Sequence, residues 1–265
     1  MAPPSAAEGR GLVLWLHGSA ETGEQSRAQV APYFSAVPEL RLSFPTAPTT
    51  PIACYGDEVI TAWFGIPGVP ITATTVREEK GVLKAVEHVH EIIKKEVAAG
   101  TSPTDIFVCG LSQGGALAIA SVLLYPQTLG GCGVFSGSIP LSKSFAEKVP
   151  PEARKTPVLW FHGMTDGLVL FEAGQSGCAF LQELGMACEF KAYPALGHSL
   201  VDEELHRLRL YGEHQHYACS EHACIDADLQ LPFALHLVGH EVDKGHRVDT
   251  ALDYQHHQAA FVIYP

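Results

Sequence analysis

Ile106-Phe107-Val108-Cys109 runs directly into Gly110-Leu111-Ser112-Gln113-Gly114, and a small-residue helix predicted over 116–125 leaves it. An apolar run of that length, bounded by Gly, reads as a strand buried on both faces. A strand that turns at once into a helix brings several backbones together, so the positions flanking the apex must be Gly. A Cβ there would crowd the sheet, while the Ser at the apex is lifted to the sheet's edge. This single turn confines the chain to architectures with a parallel sheet under covering helices.

The rest of the chain agrees. Strand-like and helix-like stretches alternate, the pattern of a parallel sheet covered on both faces. Residues 12–16 form another continuous apolar run, followed by a Gly-punctuated loop over 17–23. A short strand is predicted over 41–44, and 45–70 reads as a long loop with five Pro and three Gly, a length that usually carries function. Val82, Val86, Val89, Ile93 and Val97 recur at three- and four-residue spacing and predict a helix over 75–99, stopped by Gly100. Further strands are expected at 132–135 and 158–161 and an alternating one at 188–193. Helices are expected at 171–184 and 199–211.

Composition narrows the function. The net charge of −12 and the lack of any Lys/Arg run exclude nucleic acid, whose phosphates are bound by clustered cations. Residues 1–10 lack the basic and apolar regions of a secretory signal, and no apolar stretch is long enough to span a bilayer. No terminal lipidation motif is visible. Seven Cys at irregular spacing read as reduced thiols. The expectation is a cytoplasmic protein with at most transient contact with a membrane surface.

A Ser hydroxyl becomes a nucleophile only when a base takes its proton and a third group orients that base. Where a Gly-x-Ser-x-Gly turn tops a parallel sheet, the partners follow as acid and then His, each after a later strand. After the strand at 158–161 comes His162-Gly163-Met164-Thr165-Asp166, and after 188–193 comes Pro194-Ala195-Leu196-Gly197-His198. Asp166 and His198 therefore fall at the carboxyl edge of the sheet, where open α/β sheets bind ligands. Asp105 precedes its strand, Asp202 lies within a helix, and His17 and His162 come before the required acid. Ser112, Asp166 and His198 are the expected catalytic set. The oxyanion of a tetrahedral intermediate needs two backbone donors. Gln113 directly follows the nucleophile, and Ser19, in the loop after the first strand, is the expected second. His17 reads as a structural residue holding that loop.

These residues also carry a resemblance. His17-Gly18, Pro45-Thr46-Ala47-Pro48, Ala62-Trp63-Phe64, Gly110 through Ala116, the His-Gly-x-x-Asp at 162–166 and Gly197-His198 resemble the acyl-protein thioesterase/carboxylesterase family over residues 11–212, with 82–137 most like its plant members. The resemblance implies an α/β-hydrolase fold, with a mostly parallel sheet, helices on both faces and no large lid domain. It implies hydrolysis of acyl thioesters on palmitoylated proteins, or of short carboxylic esters and lysophospholipids, with no cofactor. The family reads Leu-Gly-Asp where this chain has Ser19-Ala20-Glu21, Trp-Phe-Asp where it has Trp63-Phe64-Gly65, and Asp-Pro where it has Asp166-Gly167. A Gly at position 20 would serve a backbone conformation that Cβ disfavours. Ala20 must then either accept that strain, of order 1–2 kcal/mol, or relax and withdraw the Ser19 N–H, slowing the enzyme about tenfold.

An acyl chain needs an apolar seat, for which Ile60, Trp63, Phe64, Leu168 and Val169 are the candidates, some of them simply covering the sheet. Residues 213–265 read as a divergent, loosely ordered extension holding eight of the fourteen His. Its His214-x-His216-x-x-Cys219 and His222-x-Cys224 lack the paired spacing of a structural zinc site, so no metal is expected. The rival to an enzyme is a hydrolase-like protein that binds an acyl or other small ligand with little turnover.

Overall fold

Six parallel strands form the central sheet, in the spatial order 40–43, 11–16, 106–111, 131–135, 158–163 and 188–193. The computed structural model describes residues 11–37, 40–76 and 78–220, with side chains through residue 211. The strands are β1 (Gly11–Leu16), β2 (Leu40–Ser43), β5 (Ile106–Leu111), β6 (Gly131–Phe135), β7 (Val158–Gly163) and β8 (Cys188–Tyr193). Every residue of β1, β5, β6 and β7 is buried, as continuous apolar runs require of central strands. The alternating β8 and the half-buried β2 lie at the two edges.

Two cores sit on the two faces of this sheet. Leu12, Leu14, Leu16, Ile106 and Val108 face α2 (Glu79–Ala98), α3 (Gln113–Leu124) and α4 (Phe171–Glu183). Val13, Trp15, Phe107, Cys109 and Phe161 pack with Val30 of α1 (Gly23–Val30) and with Leu205 and Leu208 of α5 (Asp202–Ser220). The periodic residues Val82, Val86, Val89 and Ile93 of α2 are indeed its buried face. That helix begins at Glu79 rather than 75, because the carboxylate of Glu78 accepts the Gly81 N–H and caps it. Among the described residues no helix is long and apolar enough to cross a membrane.

Other stretches depart further from the expectation. The 45–70 stretch is not all loop: β3 (Thr49–Ile52) and β4 (Glu58–Thr61) pair antiparallel, from Thr49 opposite Thr61 to Ile52 opposite Glu58. Gly56 turns the hairpin with φ +68, and Pro51 inside so short a strand hides the pattern. α1 begins at the end of the expected 17–23 loop and fills a stretch to which no element was assigned, capped by Thr22, whose hydroxyl accepts the Gln25 N–H. α5 runs on through Ser220, so the expected boundary at 212 falls inside a helix.

The topology places the chemistry. From β1 the chain pairs β2 on one side, then crosses to pair β5 on the other. The loops leaving the carboxyl ends of β1 and β5 diverge there, opening the crevice in which α/β sheets bind ligands. His17 to Ala20 leave one side of that crevice and Ser112 stands on the other.

Candidate active site

Ser112 links β5 to α3 with φ +56 and ψ −118, a conformation no L-residue adopts without support. Its N–H donates to Phe135 O of β6 at 2.8 Å and its carbonyl accepts the Ala116 N–H of α3, so the adjoining strand and the helix hold the strain. The turn is as crowded as the motif demands. A Cβ on Gly114 would lie 2.0 Å from Leu16 O. Ser112 is half-buried, and among the described residues its Oγ has no hydrogen-bond partner.

Asp166 follows β7 and is 4% exposed. Its Oδ1 accepts the N–H groups of Leu168 and Val169, each at 2.9 Å, the local turn that Asp favours. Its Oδ2 accepts Nδ1–H of His198 at 2.7 Å. Burial opposes ionisation of this carboxyl. The His198 hydrogen bond and charge, with the two backbone donors, outweigh burial and hold it below the usual carboxylate range. The loops that carry acid and base are joined: Met164 N–H donates to Tyr193 O, and both N–H and Oγ1 of Thr165 donate to Leu196 O. With Nδ1 committed to Asp166, His198 keeps Nε2 as its basic atom.

His162, to which no role was assigned in advance, lies fully buried beneath the acid. Its Nε2–H donates to Val169 O at 2.9 Å and stands 3.5 Å from Asp166 Oδ2. Burial lowers its pKa, so the ring is neutral and closes the Asp166 turn as a strut. The signal for it was its place in the His-Gly-x-x-Asp motif.

The loop after β1 has nearly all its N–H groups in use. Gly18 N–H donates to Glu21 Oε2 at 3.0 Å, Ala20 N–H to Thr61 O at 2.8 Å and Glu21 N–H to Gly18 O at 3.3 Å. Thr61 Oγ1 donates to Glu21 O, so β4 grips the loop twice. Ser19 N–H has no partner among the described residues, and neither has Gln113 N–H at the first position of α3. Ala20 takes the strained alternative, with φ +65, and the loop does not relax. His17 is buried and neutral, its pKa lowered by that burial. Its Nε2 accepts the Ala47 N–H at 2.9 Å, the structural part expected of it.

The five apolar candidates separate. Ile60 and Phe64 are half-buried and Leu168 is 43% exposed, so these three are accessible to a ligand. Trp63 and Val169 are each 6% exposed, and both are committed elsewhere. Trp63 donates its backbone N–H to Gln113 Oε1 and its indole N–H to His17 O, while Val169 donates to Asp166 and accepts from His162. These two hold supporting positions in the structure. Near Gly65, where the resembling family has Asp, the Glu78 side chain comes within 3.5 Å of where a Cβ would stand. Among the described residues no group of three or more His, Cys, Asp or Glu could hold a metal. The side chains of His214, His216 and Cys219, and all of His222 and Cys224, lie outside them.

Comparison with known proteins gives a consistent picture. The profile of the phospholipase/carboxylesterase family matches residues 3–213. A probable carboxylesterase of Oryza sativa subsp. japonica is 77% identical over 208 residues, covering 77% of this chain and 88% of the relative. A second rice relative, named a probable inactive carboxylesterase, is 52% identical over 196 residues, 73% of this chain and 80% of its own. Acyl-protein thioesterase 1 of Gibberella zeae is 32% identical over 215 residues, 78% of this chain and 92% of its own. The crystal structure of Arabidopsis thaliana SOBER1 superimposes with a TM-score of 0.75 at 46% identity, covering 78% of this chain and 99% of that one.

Proposed function

Because the chain belongs to the phospholipase/carboxylesterase family, we propose that it hydrolyses carboxylic esters and thioesters by a serine-dependent route. In this reading His198 Nε2 takes the Ser112 proton as Oγ attacks the substrate carbonyl, and Asp166 stabilises the imidazolium that forms. The N–H groups of Ser19 and Gln113 bind the oxyanion, each worth about 10² to 10³ in rate. Collapse expels an alcohol or thiol that takes its proton from His198. Water, deprotonated by the same base, then attacks the acyl-enzyme and returns Ser112.

The observation that carries this reading is the 2.7 Å bond from His198 Nδ1 to a buried Asp166, at the same sheet edge as a Ser hydroxyl on a strained turn that has no partner among the described residues. The carboxylesterases and the thioesterase among its relatives supply the substrate class: an acyl group on oxygen or sulfur, carried by a protein thiol or a small alcohol. The relative named inactive favours a second reading, a ligand-binding protein with little turnover.

A fluorophosphonate probe separates the two. It should label wild type at Ser112, and Ser112→Ala should lose labelling and hydrolysis together. Folded wild type that resists the probe would establish the binder, and label retained by Ser112→Ala would move the nucleophile elsewhere. A panel of esters and thioesters of graded chain length then distinguishes small-ester from acyl-protein substrates.

A further inference from the structure

We propose that the side chain of Gln113 and the indole of Trp63 form one latch that holds the two oxyanion donors at a fixed spacing. This makes both positioning residues for the reaction assigned above, and the inference rests on that assignment. The Gln113 carboxamide is buried at 7% exposure and used at both ends. Its Oε1 accepts the Trp63 N–H at 2.8 Å and its Nε2 donates to Phe64 O at 2.7 Å. Trp63 then donates its indole N–H to His17 O at 2.9 Å, and the rings of Trp63 and His17 lie 5.0 Å apart. The His17 ring in turn accepts the Ala47 N–H. An unbroken chain of bonds thus runs from the first residue of α3, through 63–64, to the carboxyl end of β1.

The need for such a chain follows from where the donors sit. Gln113 N–H belongs to a helix buried on all sides, whereas Ser19 N–H belongs to a surface loop. An oxyanion must lie about 2.7–3.1 Å from both at once. The contacts of Ala20 and Glu21 with Thr61 fix the loop to the hairpin, but the hairpin is not part of the central sheet. The Gln113–Trp63–His17 chain adds a hydrogen-bonded link from that loop to the helix at whose start the nucleophile stands. Only a side chain of Gln length, with both a donor and an acceptor, satisfies Trp63 N–H and Phe64 O together. The aromatic bulk of Trp63 is not the essential part; its N–H is.

Trp63→Phe removes the indole donor and keeps the ring. Gln113→Met keeps the length and removes both polar ends, and Gln113→Glu keeps the acceptor alone. With a short p-nitrophenyl ester, Trp63→Phe and Gln113→Met should each lower kcat about ten- to a hundredfold, with KM changing less than about threefold. Gln113→Glu should fall between Gln113→Met and wild type. The double variant should lose little more than the worse single, because both cut one chain. A trifluoromethyl ketone, which forms an oxyanion on the nucleophile, should bind each variant more weakly by the factor lost in kcat/KM, while the carboxylate product binds unchanged. Losses that multiply in the double variant would overturn the latch. So would variants that melt earlier yet keep wild-type kcat and ketone affinity. If Gln113→Met does not fold, Trp63→Phe and Gln113→Glu decide by the same ketone measurement. Wild type that neither turns over nor labels at Ser112 would instead overturn the assigned reaction.

Discussion

Ala20 sits at φ +65 with its methyl group exposed, so Ala20→Gly removes a steric cost without removing any packing. The left-handed conformation costs a residue with a Cβ about 1–2 kcal/mol. Gly gives back about 0.5–1 kcal/mol through the extra freedom of the unfolded chain. The variant should therefore be more stable by about 0.5–1 kcal/mol, which for a domain of this size raises Tm by about 1–4 °C. Its kcat should stay within about twofold of wild type. Ser19 N–H already has no partner among the described residues, and the Ala20 N–H remains anchored on Thr61 O in either protein. Differential scanning calorimetry and steady-state kinetics on a short p-nitrophenyl ester read the two quantities separately. A rise of about tenfold in kcat with no gain in Tm would refute the reasoning, for it would mean that the wild-type loop misplaces Ser19 after all. A fall in Tm would show that the conformation at position 20 is not the strained one.

The orienting acid and a buried carboxyl elsewhere give two further expectations. Asp166→Asn should keep the turn to Leu168 and Val169 but leave His198 in the wrong tautomer, lowering kcat by about 10³ to 10⁴ with KM far less affected. Glu204 is fully buried near the start of α5, with Oε2 accepting the Val201 N–H and Oε1 without a partner among the described residues; burial pushes its pKa up to about 7. Between the ordinary value of 4.5 and 7 the folded chain binds this proton more tightly than the unfolded one, so stability falls as pH rises through that window. Glu204→Gln should remove that decline and raise Tm most above pH 7, by a free energy of up to about 3 kcal/mol, measurable by thermal melts across pH.

What could be read in advance followed from period and from crowding. The four central strands announced themselves as unbroken apolar runs, because both their faces are covered. Ser112, Asp166 and His198 were legible because each had to follow a strand in a set order. α1 escaped for want of an apolar stripe: of its eight residues only Val30 is a buried large hydrophobe. Its capping signal, Thr22 with Gln25 three residues on, was nevertheless there to be seen. The supporting part of Trp63 was hidden for a different reason. An aromatic in a long loop looks like a ligand contact until one knows that residues 46 and 50 positions away in sequence accept its two N–H groups. No local pattern encodes such a bond. His162 likewise could be placed beside the acid by its motif, while its neutrality follows only from burial.

Every residue of α3 from Gln113 to Leu123 is buried, and the surroundings along its length are sheet and α2 rather than water. A helix exposed on one side has the field of its aligned peptide dipoles weakened laterally by solvent and by ions within a Debye length of about 8–10 Å. Here hydrocarbon flanks the helix, so that field emerges chiefly at its amino end, beside Ser112. In the proposed reaction, the positive potential at the oxyanion would thus be set chiefly by the interior and depend little on ionic strength. Salt acts instead on the approach of substrate, through a chain whose net charge is −12. In the proposed reaction, anionic acyl carriers should be slowed on their way in more than neutral ones, so that selection by charge falls on the approach rather than on the chemical step.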